Sequence, residues 1–236
     1  MQQEYNIEFD VDCANSMFAR IVYLIRFMHT EHPDQFERFI EDINKIKNEI
    51  CRHLYIAQQA NFIKPRKEFQ DILNKFVFVK NHRIAVLSTN WDTVIDNAMN
   101  TFGHSNQLGL SKNINTYHLH GSILSPKGLY LPSEIARESY RNTQEDLQIK
   151  TIHATAAQTI AKCNKLILYG LSLDPLDAEL CQTISFVGYA TNIKEIIIIN
   201  PDHKKVARRV KLLMDSKENV EINGYSPEDL DTKIKY

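Results

Sequence analysis

Between residues 5 and 11 apolar and polar positions alternate, with Tyr5, Ile7, Phe9 and Val11 on one side. A period of two is that of a half-buried strand. A central parallel strand would be apolar on both faces, so this one is expected at an edge. The period then lengthens. Met17, Ile21, Val22, Leu24 and Ile25 mark one face of a helix over 13–29. Pro33, tolerated in a first helical turn, opens a second helix. Phe36, Phe39, Ile40, Ile43, Ile46, Ile50 and Leu54 keep its helical spacing. A third helix is expected over about 65–79, carrying Phe69, Ile72, Leu73 and Phe76. Residues 12–80 therefore read as a helical layer or subdomain.

From residue 83 the texture changes. Short apolar runs at 84–87, 117–119, 166–169 and 196–199, with a weaker one at 220–222, alternate with helical patterns at about 92–102, 145–163, 175–187 and 202–215. Strands that alternate with helices predict a parallel sheet with crossover helices. The run Ile196-Ile197-Ile198-Ile199 fits a strand buried on both faces. Gly103 is the expected stop of the 92–102 helix. Residues 104–116 and 123–144 read as loops of a length usually functional or mobile. The second begins just after His120 and is placed to cover a cleft. The 236 residues are read as a single domain.

Composition narrows the function classes. A formal charge of −1 gives no electrostatic argument for nucleic acid, which is not expected as a partner. The longest apolar runs fall far short of the roughly 20 residues that span a bilayer. The start, Met1-Gln2-Gln3-Glu4, does not read as a signal peptide. The cysteines at 13, 51, 163 and 181 form no C-x-x-C pair, so no zinc site of that type is expected. Such widely spaced thiols suit a reducing, cytoplasmic setting.

Chemistry-bearing residues gather at the ends of the apolar runs, where open α/β sheets place ligands. Ser88-Thr89-Asn90-Trp91-Asp92 follows the first run. Asp92 reads equally as a cap of the next helix. Asn90 beside a carboxylate offers hydrogen bonds in both senses to a polar ligand. The second run leads into His118-Leu119-His120-Gly121-Ser122. Two histidines alternating on a strand face the same way, but no third metal ligand lies near them. His120 at a strand mouth suits a general base near neutral pH. Gly170-Leu171-Ser172 follows the third run: Gly170 permits close approach, and Ser172 could bind a phosphate or ribose oxygen. Asp174 and Pro175 read there as helix cap and first helical residue. Asn200, after the fourth run, reads as a cap or a ribose ligand. The basic helix from His203 to Lys211 reads as a solvated face.

Thr89-Asn90-Trp91-Asp92, His118-Leu119-His120-Gly121, Gly170-Leu171-Ser172-Leu173-Asp174-Pro175 and Asn200, in that order, resemble the sirtuin-like family. The resemblance is closer to bacterial sirtuin-like domains of anti-phage defence systems, and it covers about residues 80–205. It implies a Rossmann-like parallel sheet with helices on both faces, an α/β fold with the N-terminal helices as a subdomain. It also implies NAD as substrate and an NADase (NAD glycohydrolase) reaction that breaks the nicotinamide–ribose bond. Asn90, Asp92 and His120 would be catalytic. Thr89, Trp91, Gly121, Gly170, Ser172 and Asn200 would bind the nucleotide, and no zinc is expected. The family also opens with a glycine-rich phosphate loop, whereas the first glycine here is Gly103. The chain would then begin upstream of Met1, or the domain lacks that loop. The alternatives are a catalytically inactive module that binds a nucleotide such as ADP-ribose or a protein partner, and an assembly protein or homo-oligomer. The last would work through its helical layer, with Phe36, Phe39 and Phe69 partly exposed.

Overall fold

A computed structural model describes residues 11–78, 83–105, 116–135, 138–174, 177–190, 192–214 and 219–236. The expected edge strand lies outside the described residues except for Val11, which opens helix α1 (Val11–Glu31). Helix α2 (Pro33–Gln59) starts on its proline, which has no amide hydrogen to lose in the first turn. The two helices pack against each other; Val22, Ile25 and Ile43 are buried, and Cys51 of α2 is buried against Ile123 and Leu129. Phe36 and Phe39 are half-buried, whereas Phe69 is buried in the body of the protein.

The third helix is not regular. Helix α3 (Phe69–Ile72) runs into a π-helical turn over Leu73–Val77. This one short segment serves two clusters. Phe69 and Leu73 pack with Ala98 and Met99, while Ile72 and Phe76 pack on Ile197, Ile199 and Tyr225.

The fold is α/β, with parallel strands and helices on both faces. Strands β1 (Val86–Ser88) and β2 (Thr116–His118) pair in parallel, Val86 opposite Thr116 and Ser88 opposite His118. Strands β3 (Lys165–Tyr169), β4 (Glu195–Ile199) and β5 (Glu221–Ser226) are also parallel to one another. Strand β6 (Asp229–Lys235), which no apolar run announces, adds antiparallel to β5. Its exposed, charged side chains suit a sheet edge. The strands form two hydrogen-bonded groups, β1-β2 and β3-β4-β5-β6, where a single sheet was expected. Among the described residues β1 pairs only with β2, and β3 only with β4. Their apolar residues are accordingly less covered than those of β4.

Strand β4 is the centre of the core. Ile196 and Ile198 face helices α5 (Thr143–Lys162), α6 (Ala178–Ser185) and α7 (His203–Leu213). Ile197 and Ile199 face the opposite layer, built on Ile72 and Phe76. All four are 0–2% exposed. Burial on that scale stabilises by about 1.5–3 kcal/mol per side chain. Helix α4 (Val94–Ser105) continues through Gly103, so that glycine is not its stop. Among the described residues no helix is long and apolar enough to cross a membrane.

Candidate functional site

The parallel pairing of β1 with β2 puts residues 89–92 and 119–122 side by side at the C-terminal rim. The Leu119 amide donates to the Ser88 carbonyl at 2.8 Å, and the Ile123 amide to the Trp91 carbonyl at 2.8 Å. The Asn90 amide donates to the buried Ser88 hydroxyl, and the Asn90 side chain lies exposed on the rim. Asn90 and His120 thus leave from neighbouring strand ends.

The two histidines part company because β2 ends at His118 and strand alternation stops there. His118 is held in place: Nδ1 lies 3.0 Å from the Asn90 carbonyl and Nε2 3.0 Å from Asp96. His120 turns the other way. Its Nε2 is 3.7 Å from Asp177, and its ring stacks on Tyr130 at 5.4 Å between centroids, 13° from parallel. Tyr130 is nearly closed off from solvent and carries the Arg141 guanidinium 5.0 Å from its ring. Burial, then the facing Glu179 carboxylate, pushes the Tyr130 hydroxyl far above the usual phenol range. His153, on α5, lies 3.0 Å from the Leu119 carbonyl and 3.5 Å from Glu179. Besides His118–Asp96, the rim therefore carries two histidine–carboxylate pairs, His120–Asp177 and His153–Glu179, both next to Tyr130.

Both carboxylates come from the start of α6. Asp177 caps that helix by accepting from the Leu180 amide at 3.1 Å. The expected cap was Asp174, but the helix begins at Ala178. Pro175 lies outside the described residues. Burial alone would raise the Asp177 carboxyl, yet attraction from His120 and the hydrogen bond from the Leu180 amide outweigh it. They hold the group below the usual carboxylate range. Tyr130, His153, Asp177 and Glu179 are not marked by the sequence as site residues. They have no motif, and only folding brings 120, 130, 153 and 177–179 together.

Several expected ligand residues have structural tasks. Asp92 accepts from the Val94 amide at 3.0 Å and so caps α4, the other reading of that residue. Trp91 donates from its indole nitrogen to the Tyr130 carbonyl and meets Phe18 edge-on at 5.8 Å. Asn200 donates to the Leu171 carbonyl at 3.0 Å and accepts from the Asp202 amide at 2.7 Å. It ties the loop after β3 to the loop after β4. Asn200→Ala is expected to cost about 1–2 kcal/mol in urea unfolding, two hydrogen bonds being lost. Gly170 has φ +69° and open space around its Cα. Ser172 is exposed, and its carbonyl accepts from Arg209 at 2.9 Å. Thr89 is half-buried.

The segment after His120 is no loose lid. Leu129, Tyr130 and Leu131 are 1–5% exposed. Lys47 of α2 donates to the Leu129 carbonyl at 2.9 Å. Glu134, fully buried, accepts from the Leu131 amide at 2.6 Å and from the Tyr140 hydroxyl, pairs with Arg141 at 2.8 Å, and lies 3.9 Å from Lys47. Burial lowers the Lys47 ammonium despite the nearby Glu134. Nearby, Arg26 of α1 binds Glu138 through two nitrogens. The N-terminal helices therefore clamp the stretch that carries Tyr130 beneath His120.

Two surface clefts, of about 530 and 470 Å³, are lined by other residues: Glu68–Lys75 with the β5–β6 turn, and Pro201–Arg208 with Tyr236. Among the described residues no group of three or more His, Cys, Asp or Glu side chains is arranged to hold a metal ion. Compared with protein-family models, curated proteins and solved structures, the chain matches none.

Proposed function

We propose that the rim formed by Asn90, His120 and Asp177 binds an NAD-like nucleotide and cleaves its nicotinamide–ribose bond by hydrolysis. The observation that carries the reading is the placing of His120. It stands beyond the end of β2, beside the strand end that bears Asn90, with a carboxylate 3.7 Å from Nε2. An imidazole so placed can take a proton from a ribose hydroxyl or from water. Asn90, exposed at the same rim, offers an amide to the nicotinamide or its ribose. The ordered motifs resembling sirtuin-like domains of bacterial defence systems favour NAD over other nucleotides and a cytoplasmic setting.

The test is nicotinamide release from NAD by the purified protein, followed by chromatography. His120→Ala is expected to lower the rate by about a hundredfold or more, the usual scale for losing a general base. Equal rates in the two proteins would reject the role given to His120.

A second reading is a nucleotide-binding module without turnover. It is favoured by Asp92 and Asn200, whose side chains are engaged in capping and in joining loops. Calorimetry with NAD and ADP-ribose separates the two: binding without nicotinamide release supports the module.

A further inference from the structure

We infer that Asp177 is a positioning residue for His120: its carboxylate faces Nε2 and leaves Nδ1 to accept the proton in catalysis. The catalytic half rests on the hydrolytic reading above. The pairing itself is a matter of geometry.

Asp177 is well fixed for this task. Its Oδ1 takes the Leu180 amide at 3.1 Å, so the carboxylate is anchored to the first turn of α6 before it meets the imidazole. The same oxygen stands 3.7 Å from His120 Nε2. That separation is a charge pairing, longer than a direct hydrogen bond. The ring is restrained on its flat side too, by the stack on Tyr130. Tyr130 cannot retreat, because Arg141 lies against its ring and Trp91 holds its carbonyl at 3.2 Å. One side of His120 is thus fixed by charge and another by stacking. When a hydroxyl or water gives its proton to Nδ1, the ring gains one positive charge. The ionised carboxylate offsets that charge without itself taking the proton, as in other histidine–aspartate pairs.

The bland alternative is that Asp177 only caps α6. Serine caps a helix nearly as well as aspartate but cannot reach His120 with a charge. Asp177→Ser therefore removes the pairing and keeps the cap. The charged or titratable groups facing Asp177 are His120 from the end of β2, His153 from α5 and Cys181 from α6 itself. The experiment has two arms. In the first, the carboxyl carbon of Asp177 is titrated by carbon-13 NMR in the wild type and in His120→Gln. Its midpoint is expected to rise in the variant, since burial is then opposed by less positive charge. In the second, Asp177→Ser is expected to keep the wild-type melting temperature while kcat for nicotinamide release falls about tenfold or more with KM little changed. An Asp177 titration that ignores His120 overturns the inference, whatever the activity. So does an Asp177→Ser variant with wild-type kcat, or one whose loss lies wholly in KM. If the titration shifts as expected but the wild type releases no nicotinamide, the pairing stands and the hydrolytic reading fails.

Discussion

Glu134→Ala is expected to destabilise the protein by about 3–5 kcal/mol, the scale for breaking a buried ion pair from one side. The carboxylate is fully buried and serves four donors: the Leu131 amide, the Tyr140 hydroxyl, Arg141 and, more distantly, Lys47. Removing it leaves Arg141 and Lys47 as buried cations without their counter-charge. Lys47 keeps its bond to the Leu129 carbonyl but loses the one nearby charge that favours its ionised form most. Urea unfolding should report the loss, and for a chain of this size the melting temperature should fall by roughly 10 °C. Glu134→Gln should be milder, because its amide oxygen still accepts from Leu131. A change below about 1 kcal/mol in the alanine variant would mean that the clamp between α2 and the segment 129–141 is not a source of stability.

Gly121→Ala is the second large effect, expected at about 3 kcal/mol or more. Gly121 has φ +74°, where an alanine costs about 1–2 kcal/mol. A Cβ there would also stand 2.0 Å from the Gly128 carbonyl oxygen, a contact no backbone can hold. The turn 126–128 would have to move, and relief of such overpacking typically costs a further 1–3 kcal/mol. Gly170→Ala is the control. Gly170 has φ +69° and nothing within 4 Å of the added carbon, so only the conformational cost applies. The difference between the two alanine variants in thermal unfolding isolates the close approach. Equal losses would show that the turn yields freely. Since His120 precedes Gly121 and accepts the Tyr130 amide at its carbonyl, Gly121→Ala should also reduce whatever activity depends on His120.

Gly121 also shows how a motif and its meaning separate. Its place after His120 resembles a nucleotide-binding glycine, yet the conformation and the Gly128 contact by themselves require a glycine. Asp92 and Asn200 carry the same lesson. Asx residues at strand ends are chosen for capping and loop joining as readily as for ligand binding, and the sequence pattern is identical in both cases.

The repetition of isoleucine over 196–199 was enough to define a strand covered on both faces, because only opposite layers can bury every residue of a run with period two. Helices α1 and α2, and the α/β alternation after residue 83, follow from apolar spacing in the same direct way. Those are local signals, and a window of a dozen residues contains them. Strand β6 was not legible because an exposed edge strand needs no apolar face. The π turn after α3 was not legible either, because its apolar positions keep ordinary helical spacing. The division of the strands into two groups, the separate carboxylate partners of His118 and His120, and the assembly of Tyr130, His153, Asp177 and Glu179 around His120 were decided only by the tertiary structure. Each depends on which strand ends are neighbours, and long-range packing alone specifies that.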